Sequence, residues 1–254
     1  FFSRGFTSRA INTFCEKVGI TTANTTVDVM LLESCVRDDL NSLSTRVKVV
    51  LDPLKVTITN YPEDKVEDIS LPNVPQDASK GEHTVPFCRT LYIDRSDFRE
   101  EDSPDYYRLA PNKEVGLQRA YNITCKQMIR DESGKLVELL VEYDASNARK
   151  PKAYIQWVAH CPLRQSPVPV EVRMYSALFK GKNPDEHPQG FLADINKESL
   201  TVLPAALADV GVLNAKPEDK FQFERIGFFC VDKDSTPEKL VFNRTVGLKE
   251  DAKK

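Results

Sequence analysis

Asp219–Leu248 reads DKFQFERIGFFCVDKDSTPEKLVFNRTVGL. Phe221 and Phe223 alternate with Gln222 and Glu224, the two-residue period of a strand buried on one side. Further along the same run, Phe228 to Val231 is apolar throughout, as in a strand covered on both faces. Asp232 to Lys239 collects Asp, Ser, Thr and Pro, residues that favour turns, so the chain reverses there and LVFNRTVGL returns as a second strand. A hairpin with two aromatics on one face and Gln222 on the other predicts the wall of a β-barrel whose outer face is for recognition.

Upstream, residues 1–44 read as helical. Thr7 caps a helix in which Ile11, Phe14, Cys15 and Val18 recur at helical spacing, and Gly19 ends it. A second helix, starting after Thr26, has Leu32, Cys35, Val36, Leu40 and Leu43 as its apolar stripe, with Glu33, Arg37 and Asp38 on the wet side. From Arg46 the period becomes two. Val47, Val49 and Leu51 face one way and Arg46 and Lys48 the other, and LKVTITNY repeats the alternation after an Asp52-Pro53 turn, which predicts a hairpin. Residues 62–86 read as an extended loop, HTVPFCRTLYIDRSDF as one strong strand, and residues 100–180 as a meander that closes on itself. Many short strands between turn signals point to barrels or sandwiches.

A net charge of −3 argues against a generic, charge-driven nucleic-acid binder, so any RNA site must be a locally basic face on an acidic body. No stretch approaches the roughly 20 apolar residues that span a bilayer, so no membrane association is expected. The six cysteines are scattered without a CxxC pair, which predicts free thiols, no metal site and a reducing compartment, the cytoplasm. The chain starts on Phe1 without Met, and FFSRGFTSRA is too short and polar for a signal peptide, so a piece of a longer protein is expected. There is no GxxxxGK[ST] loop and no GxSxG elbow. His83, His160 and His187 are far apart, and His160 and Cys161, as neighbours on an extended chain, cannot face each other as a catalytic pair. No catalytic residue is expected in this chain.

FQFERIGFFCVD and LVFNRTVGLKED, together with RGFTSRAINTFCEKVGI, LLESCVRDDLN, DPLKVTITNYP, HTVPFCRTLYIDRSDFRE and PVEVRMYSALF, resemble the C-terminal, anticodon-binding half of the class I glutaminyl-tRNA synthetases of eukaryotic and bacterial type. The resemblance covers nearly the whole chain. It implies a mainly β fold of two Greek-key-like six-stranded barrels behind a small helical subdomain: residues 1–44 helical and against the inner stem of the tRNA, 45–99 with 181–249 as the proximal barrel, 100–180 as an inserted distal barrel, and 250–254 as a charged tail. The HIGH-like motif and MSK-type loop that bind ATP in the family are not here. ATP and Mg are therefore expected in a Rossmann-type catalytic half, with tRNA(Gln) as the partner, a monomeric state, and no activity or cofactor for this piece alone. Arg46, Arg108, Gln222 and Arg225 match the family's anticodon contacts. Gln222 would read the middle base with its amide locked by Arg46. Arg108 would read the third base, and Arg225, set on the opposite face from Gln222 by strict alternation, would need a bend before Gly227 to reach the same base. Two arginines that hold the first base in bacterial members are replaced by Gly116 and Gln118, with Arg119 beside them. Gln118 carries over weakly. Tyr106 and Tyr107 are candidates to stack on a splayed base. FQFER and VFNRTV have the glutaminyl rather than the glutamyl form. A stand-alone barrel binding RNA or protein is the competing reading.

Overall fold

The N-terminal helix is capped as its sequence requires: Thr7 accepts the Ala10 amide through its side chain, and Gly19 closes the other end in the left-handed region, its amide bonded to the Cys15 carbonyl. The computed structural model describes residues 2–20, 22, 26–146, 148–181 and 183–248; the expected tail at 250–254 lies outside them. In chain order the helices are α1 (Ser8–Val18) and α2 (Val29–Leu43). The strands follow as β1 (Thr45–Val47), β2 (Val49–Val50), β3 (Pro53–Ile58), β4 (Glu67–Pro72), β5 (Glu82–Phe87), β6 (Thr90–Asp94), β7 (Glu114–Leu117) and β8 (Asn122–Arg130). Then come β9 (Leu136–Asp144), β10 (Tyr154–Ile155), β11 (Trp157–Ala159), β12 (Val168–Tyr175), β13 (Leu200–Ala208), β14 (Lys220–Phe223), β15 (Gly227–Val231) and β16 (Leu240–Gly247).

Two seven-stranded sheets dominate, ordered β1-β14-β15-β16-β12-β13-β2 and β10-β7-β8-β9-β3-β6-β11. In each, the two end strands are consecutive in sequence and separated by one residue, Lys48 in the first and Gln156 in the second. A single interrupted strand thus joins the two edges and closes each sheet into a barrel, which removes the free edge. Counted as one strand each, residues 45–50 and 154–159 give the six strands expected.

The membership of the barrels differs from the expected partition. β3 and β6 belong with β7–β11 rather than with the C-terminal strands, and β12 lies between β16 and β13 in the first barrel. The reason is non-local pairing. β3 runs parallel to β9 with Lys55 opposite Glu138, a match across more than eighty residues that no local pattern reveals. The Asp52-Pro53 turn accordingly hands the chain from one barrel to the other, and the expected hairpin does not form. Residues 62–86 are not a plain loop: β4 and β5 pair antiparallel as a separate two-stranded arm. HTVPFCRTLYIDRSDF is split between β5 and β6. The run after Asp219 is itself a hairpin, because Arg225 takes φ +66° and turns β14 back onto β15.

The first barrel is filled by aromatics on alternating positions. Phe223 stacks on Phe229 with ring centroids 4.0 Å apart, and Phe242 meets both Phe223 and Phe221 edge-on. Fully burying each such ring contributes about 1.5–3 kcal/mol. The second is built around Trp157 and Phe87, whose rings meet edge-on at 5.1 Å. Beside them the hydroxyls of Tyr61 and Tyr121 both donate to Glu67, which is how the arm is anchored to that barrel. Helices α1 and α2 pack on the outside of the first barrel through Phe6, Ala10, Val36 and Leu40 against Phe228 and Val246. Leu43 and Cys15 lie outside this contact and are exposed, against expectation, because each helix buries only a narrow stripe. All six cysteines are free thiols. No described helix is long and apolar enough to cross a membrane.

Candidate nucleic-acid interface

Parallel pairing of β1 with β14 sets Arg46 directly opposite Gln222. Both are outward-facing positions in strands whose alternate residues, Val47, Phe221 and Phe223, are buried. The Arg46 Nε donates to the Gln222 Oε1 at 2.9 Å. A guanidinium can only donate, so the bond fixes the amide with its oxygen toward Arg46 and leaves the Nε2 donors free to turn outward. The remaining contacts of Arg46 are to Asn41 Oδ1 at 3.3 Å and Gln76 Oε1 at 3.4 Å, both neutral. Burial holds its pKa below the ordinary arginine value, the charge of Glu224 opposes that, and the like charge of Arg119 adds to it.

Arg108 and Arg225 come together on one carboxylate. Arg225, at the tip of the β14–β15 hairpin, makes a bidentate pair with Asp97, its Nη atoms 3.0 and 3.1 Å from the two Oδ atoms. Arg108, from the loop after β6, reaches the same Asp97 Oδ1 at 3.0 Å and the Ser96 carbonyl at 3.4 Å. The Asp97 side chain is 4% exposed, whereas Arg108 remains 43% exposed. Asp97 follows the second barrel's β6 and Arg225 stands on the first barrel, so this ion pair bridges the two. The expected bend before Gly227 exists, but the Arg225 guanidinium is committed to Asp97.

Lys48 and Gln156, the closure residues, both converge on Gln118. Lys48, expected on an outward face, is buried: its Nζ donates to the Gln118 carbonyl at 2.8 Å and lies 4.5 Å from the centroid of the Trp157 ring. Burial pushes its ammonium down to about 8 despite the opposing charges of Glu224 and Asp209. Trp157 Nε1 donates to the same carbonyl at 3.0 Å, and Gln156 Nε2 donates to the Gln118 Oε1 at 2.7 Å and to Glu224 at 2.9 Å. Gln118 is therefore tied into the seam between barrels. Gly116 is covered. A Cβ there would fall 2.6 Å from the Tyr154 ring and 2.7 Å from Pro151, so no longer side chain fits without displacing them. Tyr107 is exposed, with the Lys152 ammonium 5.9 Å from its ring centroid, while Tyr106 is buried under the Arg99 guanidinium.

Two family models carrying the description class I tRNA synthetases (E and Q), anticodon-binding domain, match residues 44–144 and 154–232. The chain belongs to this family. Among its relatives, the probable glutamine–tRNA ligase of Dictyostelium discoideum is 48% identical over 100% of the chain and 32% of its own length. The glutamine–tRNA ligase of Bos taurus is 50% identical over 98% of the chain and 32% of its length, and that of Tolumonas auensis 42% identical over 97% and 45%. The chain thus spans about a third to a half of the curated relatives it matches. The expected resemblance to the anticodon-binding half of a glutaminyl-tRNA synthetase holds, as do its two barrels.

Four residues of these anticodon-binding domains escaped the sequence: Asp97, Lys48, Gln156 and Glu224. Alternation tells which face a residue occupies but not what covers that face. Lys48 and Gln156 give no local sign of lying in a seam. Asp97 gives none either, since its partners Arg108 and Arg225 lie outside its own strand run.

Proposed function

We propose that these domains read the anticodon of tRNA(Gln) on behalf of a catalytic half, outside this chain, that attaches glutamine with ATP and Mg. The observation that carries the reading is the Arg46–Gln222 bond, which presents a glutamine amide in one orientation on an outer barrel face. Uracil offers an acceptor at O4 and a donor at N3, and a locked amide complements both, since its oxygen has a second lone pair beyond the one used by Arg46. Arg108, partly exposed and steadied by Asp97, offers donors to the O6 and N7 of a guanine at the third base. Tyr107 is available to stack on an unpaired base. Arg225 and Gln118 serve to position the two barrels.

Monomeric assembly, a cytoplasmic setting and lack of catalysis by the isolated chain are parts of the same reading. The chain should bind a stem-loop carrying the glutamine anticodon in preference to one with a glutamate anticodon, measured by fluorescence anisotropy. It should support no pyrophosphate exchange with glutamine, ATP and tRNA. Equal binding to both stem-loops would overturn the recognition role, and exchange by the chain alone would overturn the division of labour.

A further inference from the structure

The turn between β7 and β8 carries a residue that the reading above leaves unused. The Ala120 amide donates to the Leu117 carbonyl at 3.0 Å, and the Leu117 amide to the Tyr121 carbonyl at 2.9 Å, so residues 117–120 form a tight β-turn. Its third residue, Arg119, has φ +61°. Glycine or asparagine ordinarily occupies such a position, because the left-handed region sets Cβ against the backbone.

The turn is pinned from the inside. Gln118 is held through its carbonyl by Lys48 and Trp157 and through its side chain by Gln156, so it points into the seam. Arg119 is exposed, and among the described residues no hydrogen bond or ion pair is made to its side chain. Its charge bears on Arg46 and Lys48, disfavouring the charged form of each. Glu224 is the opposing charge for both, and its carboxylate is bonded to Gln156. A solvated arginine on a surface turn is the ordinary explanation, but it does not account for the strained backbone at a position that glycine or asparagine would relieve. Strain of this kind persists where the surrounding structure imposes it and a function uses it. The neighbouring positions cannot supply a cation, since Gly116 is covered by Tyr154 and Gln118 is turned inward.

We propose that Arg119 is an RNA phosphate contact, set at the seam where the Gln118 carbonyl meets Lys48 and aimed outward by the strained β7–β8 turn. The proposal rests on the anticodon-binding reading. A phosphate, rather than a base edge, fits because an exposed guanidinium with no carboxylate partner among the described residues favours an anion, while nothing fixes its plane as base readout requires.

The test is titration of the 254-residue chain with a glutamine anticodon stem-loop at several salt concentrations. Arg119→Ala should weaken binding on the order of fivefold and lower the steepness of log Kd against log salt by about 0.7–1. The loss should be the same for stem-loops altered at each anticodon base. Arg119→Gly should show the same loss while melting at or above the parent temperature, since glycine accepts the positive φ; this separates lost contact from lost folding. Arg119→Lys should keep most of the affinity and the salt slope, because a phosphate accepts a point charge. Unchanged affinity and slope in both the Ala and Gly variants would overturn the proposal, as would a loss confined to one base position. A parent chain that fails to bind the stem-loop at all would instead sink the anticodon-binding reading on which the proposal stands.

Discussion

Arg46 on β1 and Arg225 in the turn that follows its partner strand β14 belong to one barrel, yet they are held by opposite kinds of partner. Arg46 meets only neutral oxygens, from Gln222, Asn41 and Gln76. Arg225 meets a buried carboxylate, Asp97, which it shares with Arg108. Neutral acceptors orient a guanidinium without pairing it to a carboxylate, so the first cluster is suited to meeting an outside ligand. A carboxylate orients and neutralises at once, so the second cluster spends much of its interaction energy inside the protein. The difference divides the candidate contacts into a reading pair and a scaffold that holds the barrels in register.

The largest effect that would break this division is on stability. Asp97→Ala leaves two guanidinium groups without their shared acceptor. Both arginines are partly exposed, so the cost should be about 2–4 kcal/mol in urea unfolding, below that of a fully buried pair. Arg46→Ala should cost under about 1 kcal/mol in the same assay. Equal costs would erase the distinction.

Next in size is a pH effect at the seam. Lys48 in the folded protein loses its proton near pH 8 instead of its ordinary 10.5. Between those values the unfolded chain holds the proton and the folded chain does not, so the Lys48 contribution to stability rises with pH, by about 3 kcal/mol at most. It is a penalty below pH 8 and is relieved by about pH 10.5. Lys48→Met should remove this rise, leaving Trp157 Nε1 to bond the Gln118 carbonyl. Unfolding curves of parent and variant that stay parallel from pH 7.5 to 10.5 would show that the seam is more hydrated than its geometry indicates.

A smaller change sharpens the comparison on the binding side. Arg108 belongs to the scaffold through Asp97 but is exposed enough to touch RNA. Arg108→Ala should weaken stem-loop binding by about 1–3 kcal/mol and relax the preference for G over C at the third base. Equal weakening toward both bases would assign Arg108 wholly to the scaffold or to a phosphate.

How far the sequence reached follows the range of each interaction. The Thr7 cap, the buried Phe221 and Phe223 and the outward Gln222 were legible because each depends on neighbours within a few residues. The pairing of Arg46 with Gln222 lies 176 residues apart in the chain and was reached only through the resemblance, together with the argument that a flippable amide needs a donor-only lock. The barrel partition failed at β3 and β12, whose partners are set by tertiary closure. Lys48 and Asp97 stayed hidden for the same reason: their neighbours come from the other barrel.

The central claim is that the amide of Gln222, locked by Arg46, discriminates the middle base. The most direct measurement compares parent and Gln222→Glu binding to two stem-loops that differ only by U or C at that base. Glutamate removes the donor facing O4 and sets a carboxylate there, while still accepting from Arg46. The account predicts that binding to the U stem-loop falls by about 1–3 kcal/mol, that the preference for U over C is lost, and that the salt slope hardly changes. An intact preference for U over C in the Gln222→Glu variant would contradict it.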